Sequence, residues 1–345
     1  MPPHKGDFVQ AAGVLHADGA SVPRAALWRK HRALTLTPDR PRGPLPRIEG
    51  RWLWGGVLWE HFGHFLVEST SRLWPLPDLA GQLDGILFIP KRPQNSKVFR
   101  FQQDFAALLG CDLPMRVLSA PARVERLHVP GQGFGLGELA AGTRFFRRAM
   151  HRHFGQDIAP DGPEKLYISR SRIADRRGAL IEEDTLETLL AEHGYEVFHP
   201  QAHDLPTQVA RYKAARTVLA SEGSALHLLG MTARPDQQIG VVMRRRSSVT
   251  DSIGTHLHSF SGRAPSMFDA LRRNWKPVGQ ARKHMWHGEL DLPLLQAMLR
   301  QEGFIGAGGR SWPARSVAEI AEILGQDFVV ARHYGPSEAQ RHAAE

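Results

Sequence analysis

From Lys165 to Met243, short apolar runs alternate with longer amphipathic ones, and this alternation narrows the fold more than any other feature of the chain. Lys165–Ser169, Tyr195–Phe198, Thr217–Ala220 and Gln238–Met243 read as strands, short and partly β-branched. Between them, Glu182–His193, Pro206–Ala215 and the stretch from Ala225 onward read as helices; Leu186, Leu189 and Leu190 share a face of the first, and Gly194 stops it. Strand and helix in strict alternation mean βαβ units and a parallel sheet. Ligands of such sheets bind beyond the carboxyl ends of the strands, which here selects the loops Arg170–Arg177 and Ser221–Ser224.

The first half is less regular. Residues 1–50 are rich in Pro, Arg and Gly and read as loops and short strands, most densely from Pro38 to Pro46. A helical pattern is expected after Gly55-Gly56, a buried strand at Gly85–Pro90, a helix from Phe99 to Leu109 ending at Gly110, a strand at Val124–Val129 and a basic helix from Glu138 to Phe154. At 345 residues the chain is long enough for about two domains. The stretch Asp157–Pro163 reads as their boundary, giving domains at 1–160 and 161–345. After residue 250 the pattern blurs, with closing helices expected near Leu292–Gln301 and Ser316–Leu324.

Composition excludes several classes. The single cysteine, Cys111, rules out an intramolecular disulfide and a Cys-based zinc site and reads as a small buried hydrophobe in a reduced, intracellular protein. No run approaches the roughly 18 apolar residues of a membrane span. Met1–Ala20 lacks the apolar core of a secretory signal, its longest apolar stretch, Ala11–Leu15, being broken by Gly13. The net charge of +9 predicts attraction to anions. The basic clusters Arg244-Arg245-Arg246 and Arg272-Arg273 come with no zinc finger or RNA-recognition motif, so nucleic acid is not expected as a partner.

Three stretches could carry chemistry. On a helix, His61, His64, Glu68 and Arg72 are spaced three, four and four apart and share a face beside a core stripe of Phe62, Phe65, Leu66, Ser69 and Leu73. A histidine and a carboxylate one turn apart can serve as base and orienter; the plainer alternative is a solvated helix face. The order Glu-His-x-x-His differs from the zincin His-Glu-x-x-His, which argues against a metal at His61, His64 and Glu68. The second stretch, Ser221–His227, places a Gly/Ser turn between a strand and a helix, where backbone N–H groups can hold an anion or simply form a capped turn. The third, Tyr167–Arg172, delivers Arg170 and Arg172 just past a strand, suited to a diphosphate or else a solvated loop. The alternating glycines Gly131, Gly133, Gly135 and Gly137 fail the dinucleotide fingerprint, because Leu136 or Glu138 falls where its last glycine should be; they read as a flexible loop.

Gly-His-Phe-Leu-Val-Glu at 63–68 and Arg-Leu-Trp at 72–74, followed by Tyr-Ile-Ser-Arg at 167–170, resemble glycosyltransferase family 61. Leu186–Met231 adds a leucine-rich helix, His-Gly-Tyr-Glu-Val-Phe-His-Pro at 193–200, a helix containing Gln208 and Glu-Gly-Ser-Ala-Leu-His at 222–227. The resemblance spans residues 52–245 and lies in the order and spacing of the motifs rather than in any one of them. Bacterial members resemble capsular and exopolysaccharide biosynthesis proteins. The family implies a GT-B-like α/β architecture, with two Rossmann-like lobes and the sugar nucleotide in the cleft, mainly on the C-terminal lobe. It also implies inverting transfer without an essential metal, and no cofactor other than the donor itself.

Many members have His-Gly-Ala where this chain has Glu222-Gly223-Ser224, and Asn where it has His227. The turn glycine is kept, but Glu222 would repel a diphosphate unless it points away or binds the ribose hydroxyls. On this reading His64 or Glu68 is the base, one orienting the other beside His61, and Arg170, Arg172, Glu222, Gly223, Ser224 and His227 serve the donor. The expected partners are a nucleotide sugar and a glycan or lipid-linked glycan acceptor, for a cytoplasmic protein in peripheral contact with the inner membrane and able to self-associate. The rivals are a non-catalytic nucleotide- or glycan-binding protein that keeps the fold, and a metal-dependent hydrolase using His61, His64 and Glu68.

Overall fold

The structure, a computed structural model, describes residues 10–79, 81–92, 97–173 and 178–335. The chain divides into two compact units: Met1–Ala159 with His227–Thr232, and Pro160–Leu226 with Ala233–Glu345.

The first unit is built on a four-stranded sheet in the order Met115–Val117, Gly85–Pro90, Arg47–Leu58, Arg123–His128, with every pair parallel. The long strand Arg47–Leu58 corrects the expectation that Gly55-Gly56 introduces a helix. Here the glycines serve a strand. Gly56 has φ +84 at a register shift in the ladder with Gly85–Pro90, and a Cβ on Gly55 would collide with the ring of Phe88. A bulge of this kind bends the strand end and re-aims the chain beyond it. The helix Arg100–Leu108 ends at Gly110 in the left-handed region, as its sequence predicts. The basic helix is shorter than expected: it runs Arg144–His153 after the N-cap Thr143, and Glu138 belongs to a separate single turn, Gly137–Leu139. The glycine-rich loop before it is packed rather than loose, since Gly133 donates to Ser71 O and accepts from Thr143 N, both at 2.7 Å. Cys111 is buried.

The segment after the long strand is helical from Phe62, not from residue 57. It passes from one α-turn, Phe62–His64, through a wider π-turn, Phe65–Ser69, into a tighter turn, Thr70–Arg72. π-turns interrupt the regular periodicity and occur often at functional positions. The single-face expectation is corrected accordingly. His64 and Glu68 stay together, but the fully buried Arg72 turns its guanidinium to the carbonyls of Arg24 (2.8 Å), Pro130 (2.5 Å) and Ala26 (2.5 Å). It thereby fastens the segment leading to Arg29, and burial pushes its own pKa down to about 10.

The second unit carries a five-stranded parallel sheet in the order Glu196–Phe198, Lys165–Ile168, Thr217–Ser221, Gln238–Val242, Ser266–Phe268. Its three inner strands are almost wholly buried and read as largely apolar runs, as parallel strands do. Tyr167, Leu219 and Val242 from the sheet pack with Leu186, Leu189 and Leu190 of helix Glu183–Ala191 and with Leu295 and Leu299 of helix Leu292–Gln301. The region that blurs in sequence holds the helix Ser248–Ser261 and an antiparallel sheet in the order His287–Leu290, Leu271–Pro277, Phe328–His333. The central strand of that sheet is masked by charge in the sequence: Arg273 is buried and neutralised by both oxygens of Glu289 at 2.7 Å. Among the described residues, no helix is long and apolar enough to cross a membrane. The fold class is mixed α/β with parallel sheets, compatible with Rossmann-like lobes.

Candidate active site

In the first unit, the carboxyl ends of two neighbouring strands deliver Trp59 and Lys91. The backbone of Trp59 is fixed from both sides, its N–H donating to Ser69 Oγ at 3.0 Å and its carbonyl accepting from Gln102 Nε2 at 2.9 Å. The ring of His64 stacks on that of Trp59, with centroids 4.5 Å apart and planes at 27°. His61, extended at the helix start, lies with its ring 5.2 Å from that of His64.

Glu68 is the fixed point of this cluster. Arg29 grips it bidentately, Nε to Oε1 at 2.5 Å and Nη2 to Oε2 at 2.7 Å. His64 Nδ1 lies 3.3 Å from Glu68 Oε2 and 3.2 Å from Arg29 Nη2. Donating from Nδ1 to the carboxylate, His64 keeps its lone pair on Nε2; accepting from Arg29 instead, it carries the hydrogen on Nε2. Burial raises the Glu68 pKa, but the bonds from His64 and Arg29 and the charge of Arg29 outweigh it and hold the carboxyl below its ordinary value. The side chain of Glu68 is 0% exposed and that of His64 35%, so the imidazole is the group that can meet a substrate.

His227 belongs to this unit and not to the one that holds Gly223. Burial, and then the charge of His64, push its pKa down to about 4, so it stays neutral beside His64 in neutral solution. Lys91 sits with Nζ 4.5 Å from the Trp59 centroid, and its pKa is pushed down to about 8 by burial and by Arg29. Among the described residues, no three His, Cys, Asp or Glu side chains converge to hold a metal. Both oxygens of Glu68 accept from Arg29.

In the second unit, Arg170 and the turn Glu222-Gly223-Ser224 follow adjacent parallel strands and come together. A Cβ on Gly223 would lie 2.7 Å from Arg170 Nη1, so the glycine is what lets the guanidinium lie against the turn. Arg170 Nη2 also donates to Gly178 O at 3.2 Å, and its backbone N–H to Glu183 Oε1 at 2.9 Å. Glu222 is buried, and its Oε1 accepts from Arg245 Nε at 2.9 Å. Arg172 is exposed and helps lower the His199 pKa, which burial lowers most. Residues 174–177 of the loop singled out in the sequence lie outside the described residues.

The sequence motifs fall in one stretch of chain that a family model recognises, together with His64 and Glu68 of the first cluster and Arg170 and Gly223 of the second. The model for glycosyltransferase 61 matches residues 62–240. The chain belongs to the glycosyltransferase 61 family. No curated protein matches it. Membership makes it a glycosyltransferase, and the matched region contains His64, Glu68, Arg170, Arg172, Gly223 and His227.

Several residues that shape this glycosyltransferase's clusters carry no signal in sequence. Arg29 is far from Glu68 along the chain, in a short basic stretch, Arg29 to Arg32, without a motif. Glu183 opens a helix recognised only by its leucines. Yet its Oε1 accepts from Tyr167 Oη at 3.0 Å and from the backbone of Arg170, and it also takes the Ser221 hydroxyl, tying two neighbouring strand ends together. Burial pushes the Glu183 pKa up.

Proposed function

We propose that this chain is an inverting glycosyltransferase that moves a sugar from a nucleotide-sugar donor to a glycan acceptor in capsular or extracellular polysaccharide synthesis, without a metal. The family supports transfer. The observation that carries the mechanism is a partly exposed His64 held against a buried, Arg29-clamped Glu68. His64 Nε2 takes the proton of the acceptor hydroxyl, with Nδ1–H donating to Glu68. The acceptor oxygen bonds to the anomeric carbon from one face as the bond to the diphosphate breaks on the other. The electron pair leaves with the diphosphate, and the configuration inverts. Glu68 orients and does not itself take the proton, since it is buried and its carboxyl is held ionised.

The leaving group goes to the second unit, where Arg170, Arg172 and the N–H groups of the Gly223-Ser224 turn stabilise developing negative charge. With these assignments the reading takes on the GT-B-like architecture, acceptor side at 1–160 and donor side at 161–345, and the cytoplasmic face of the inner membrane as the place of work.

Incubation with a panel of nucleotide sugars and a glycan primer tests this reading. Release of nucleoside diphosphate, accelerated by the primer and unchanged by a chelator, is the expected result. Binding of donors with no release in any combination would make the chain a binding protein, and loss of turnover on chelation would return the metal-dependent alternative.

A further inference from the structure

Most arginines near the carboxyl edge of the five-stranded sheet have carboxylate partners: Arg245 with Glu222 at 2.9 Å, Arg246 with Asp269 at 2.6 Å, Arg273 with Glu289 at 2.7 Å. Arg244 does not. It comes just after the strand Gln238–Val242 and is 4% exposed, and among the described residues its Nε and Nη1 are buried with no hydrogen-bond partner. Glu222 gives its Oε1 to Arg245 and meets only the backbone N of Arg244, at 3.4 Å. A buried cation without a counter-charge is costly, and proteins keep one where an anion arrives to complete it.

The surroundings fit that anion. Arg244 Nη1 lies against Gly178, 2.5 Å from where a Cβ would stand, and Arg170 Nη2 donates to the carbonyl of the same glycine. Two guanidiniums therefore converge on Gly178, and one of them also lies against Gly223. The charged groups facing Arg244 are Arg245, Glu222, Arg170 and Glu183. Glu222 is offset by Arg245, and the buried Glu183 is engaged by Tyr167, Ser221 and the Arg170 backbone. What remains is the charge of Arg244, on a fork suited to phosphate oxygens and beside that of Arg170.

We propose that Arg244 is a phosphate receptor of the second unit, pairing with Arg170 around Gly178 to hold the diphosphate of the donor and of the departing nucleoside diphosphate. The inference rests on the nucleotide-sugar reading and deepens it, adding a residue that lies outside the matched region 62–240. Arg244 acts by charge and hydrogen bonds alone.

The test uses the full chain, with inorganic pyrophosphate and a set of nucleoside diphosphates as probes, read by calorimetry and thermal shift at moderate salt. Arg244→Met keeps the length of the side chain and removes the charge. Its unliganded melting temperature is expected to equal or exceed that of the parent, because an unpaired buried charge is gone. Its dissociation constants for both probes are expected to rise by about 30-fold or more. Arg244→Lys, which keeps a charge without the fork, is expected to fold and to fall between the two, so the inference remains testable if the methionine variant does not fold.

Unchanged dissociation constants in the variants would overturn the inference while leaving the donor reading intact. A parent protein that takes pyrophosphate but no nucleoside diphosphate would keep the receptor and remove the donor reading. A parent that binds neither probe would overturn the receptor.

Discussion

His64→Asn should lower sugar transfer by about 10²–10⁴-fold while the protein remains folded, because it removes the group that in the proposed mechanism accepts the acceptor's proton and leaves Glu68 in the grip of Arg29. Turnover per folded molecule, measured at saturating donor, is the readout. Glu68→Gln is expected to behave differently. It keeps the size of the side chain but weakens a buried ion pair, so it should cost about 1–3 kcal/mol of stability and a smaller part of the rate. The sign of the pH dependence comes from the direction of its shift. A carboxyl held below its ordinary value contributes stability that is full above that value and is lost as pH falls through the depressed one. The stability gap between parent and Glu68→Gln should therefore close on acidification. His227, at about 4, remains neutral over the working range and adds no opposing charge beside His64. Normal turnover in a well-folded His64→Asn protein would remove the base from this mechanism.

Gly223→Ala should lower kcat/KM for the donor by about 100-fold with little change in melting temperature. The added Cβ would stand 2.7 Å from Arg170 Nη1 and 2.9 Å from its Cδ. The backbone at Gly223 is outside the left-handed region, so alanine meets no conformational strain there, and the side chain of Arg170 is what must move. Misplacing a positioning group by about 1 Å can cost on the order of 100-fold. Loss of stability with donor kinetics unchanged would mean that the Arg170–Gly223 contact serves packing alone.

Legibility in the sequence tracks the reach of local chemistry. Gly85–Pro90 and Leu292–Gln301 fall where their residues place them, because a buried parallel strand and a proline-started amphipathic helix are written in adjacent residues. The strand Arg47–Leu58 is hidden by its own glycines, which mark a bulge as readily as a helix boundary. The contact of His64 with Glu68 is legible from spacing, but it survives on a π-turn that the spacing does not predict. Arg72, read on the same face, goes to backbone carbonyls instead. Arg29, Lys91 and Glu183 depend on contacts across strands or distant segments, which no window of sequence contains. Arg244 stands in plain view within a basic run, but its difference from Arg245 and Arg246 is burial and the lack of a partner, and only coordinates show these.

The central claim is a single displacement driven by one base, and the anomeric configuration of the first product tests it most directly. With an α-linked nucleotide sugar as donor, proton NMR during the first turnovers should show a β-glycoside forming in step with nucleoside diphosphate release. An α-glycoside as the first product would contradict the claim, because retention requires chemistry that one histidine acting on the acceptor hydroxyl does not supply.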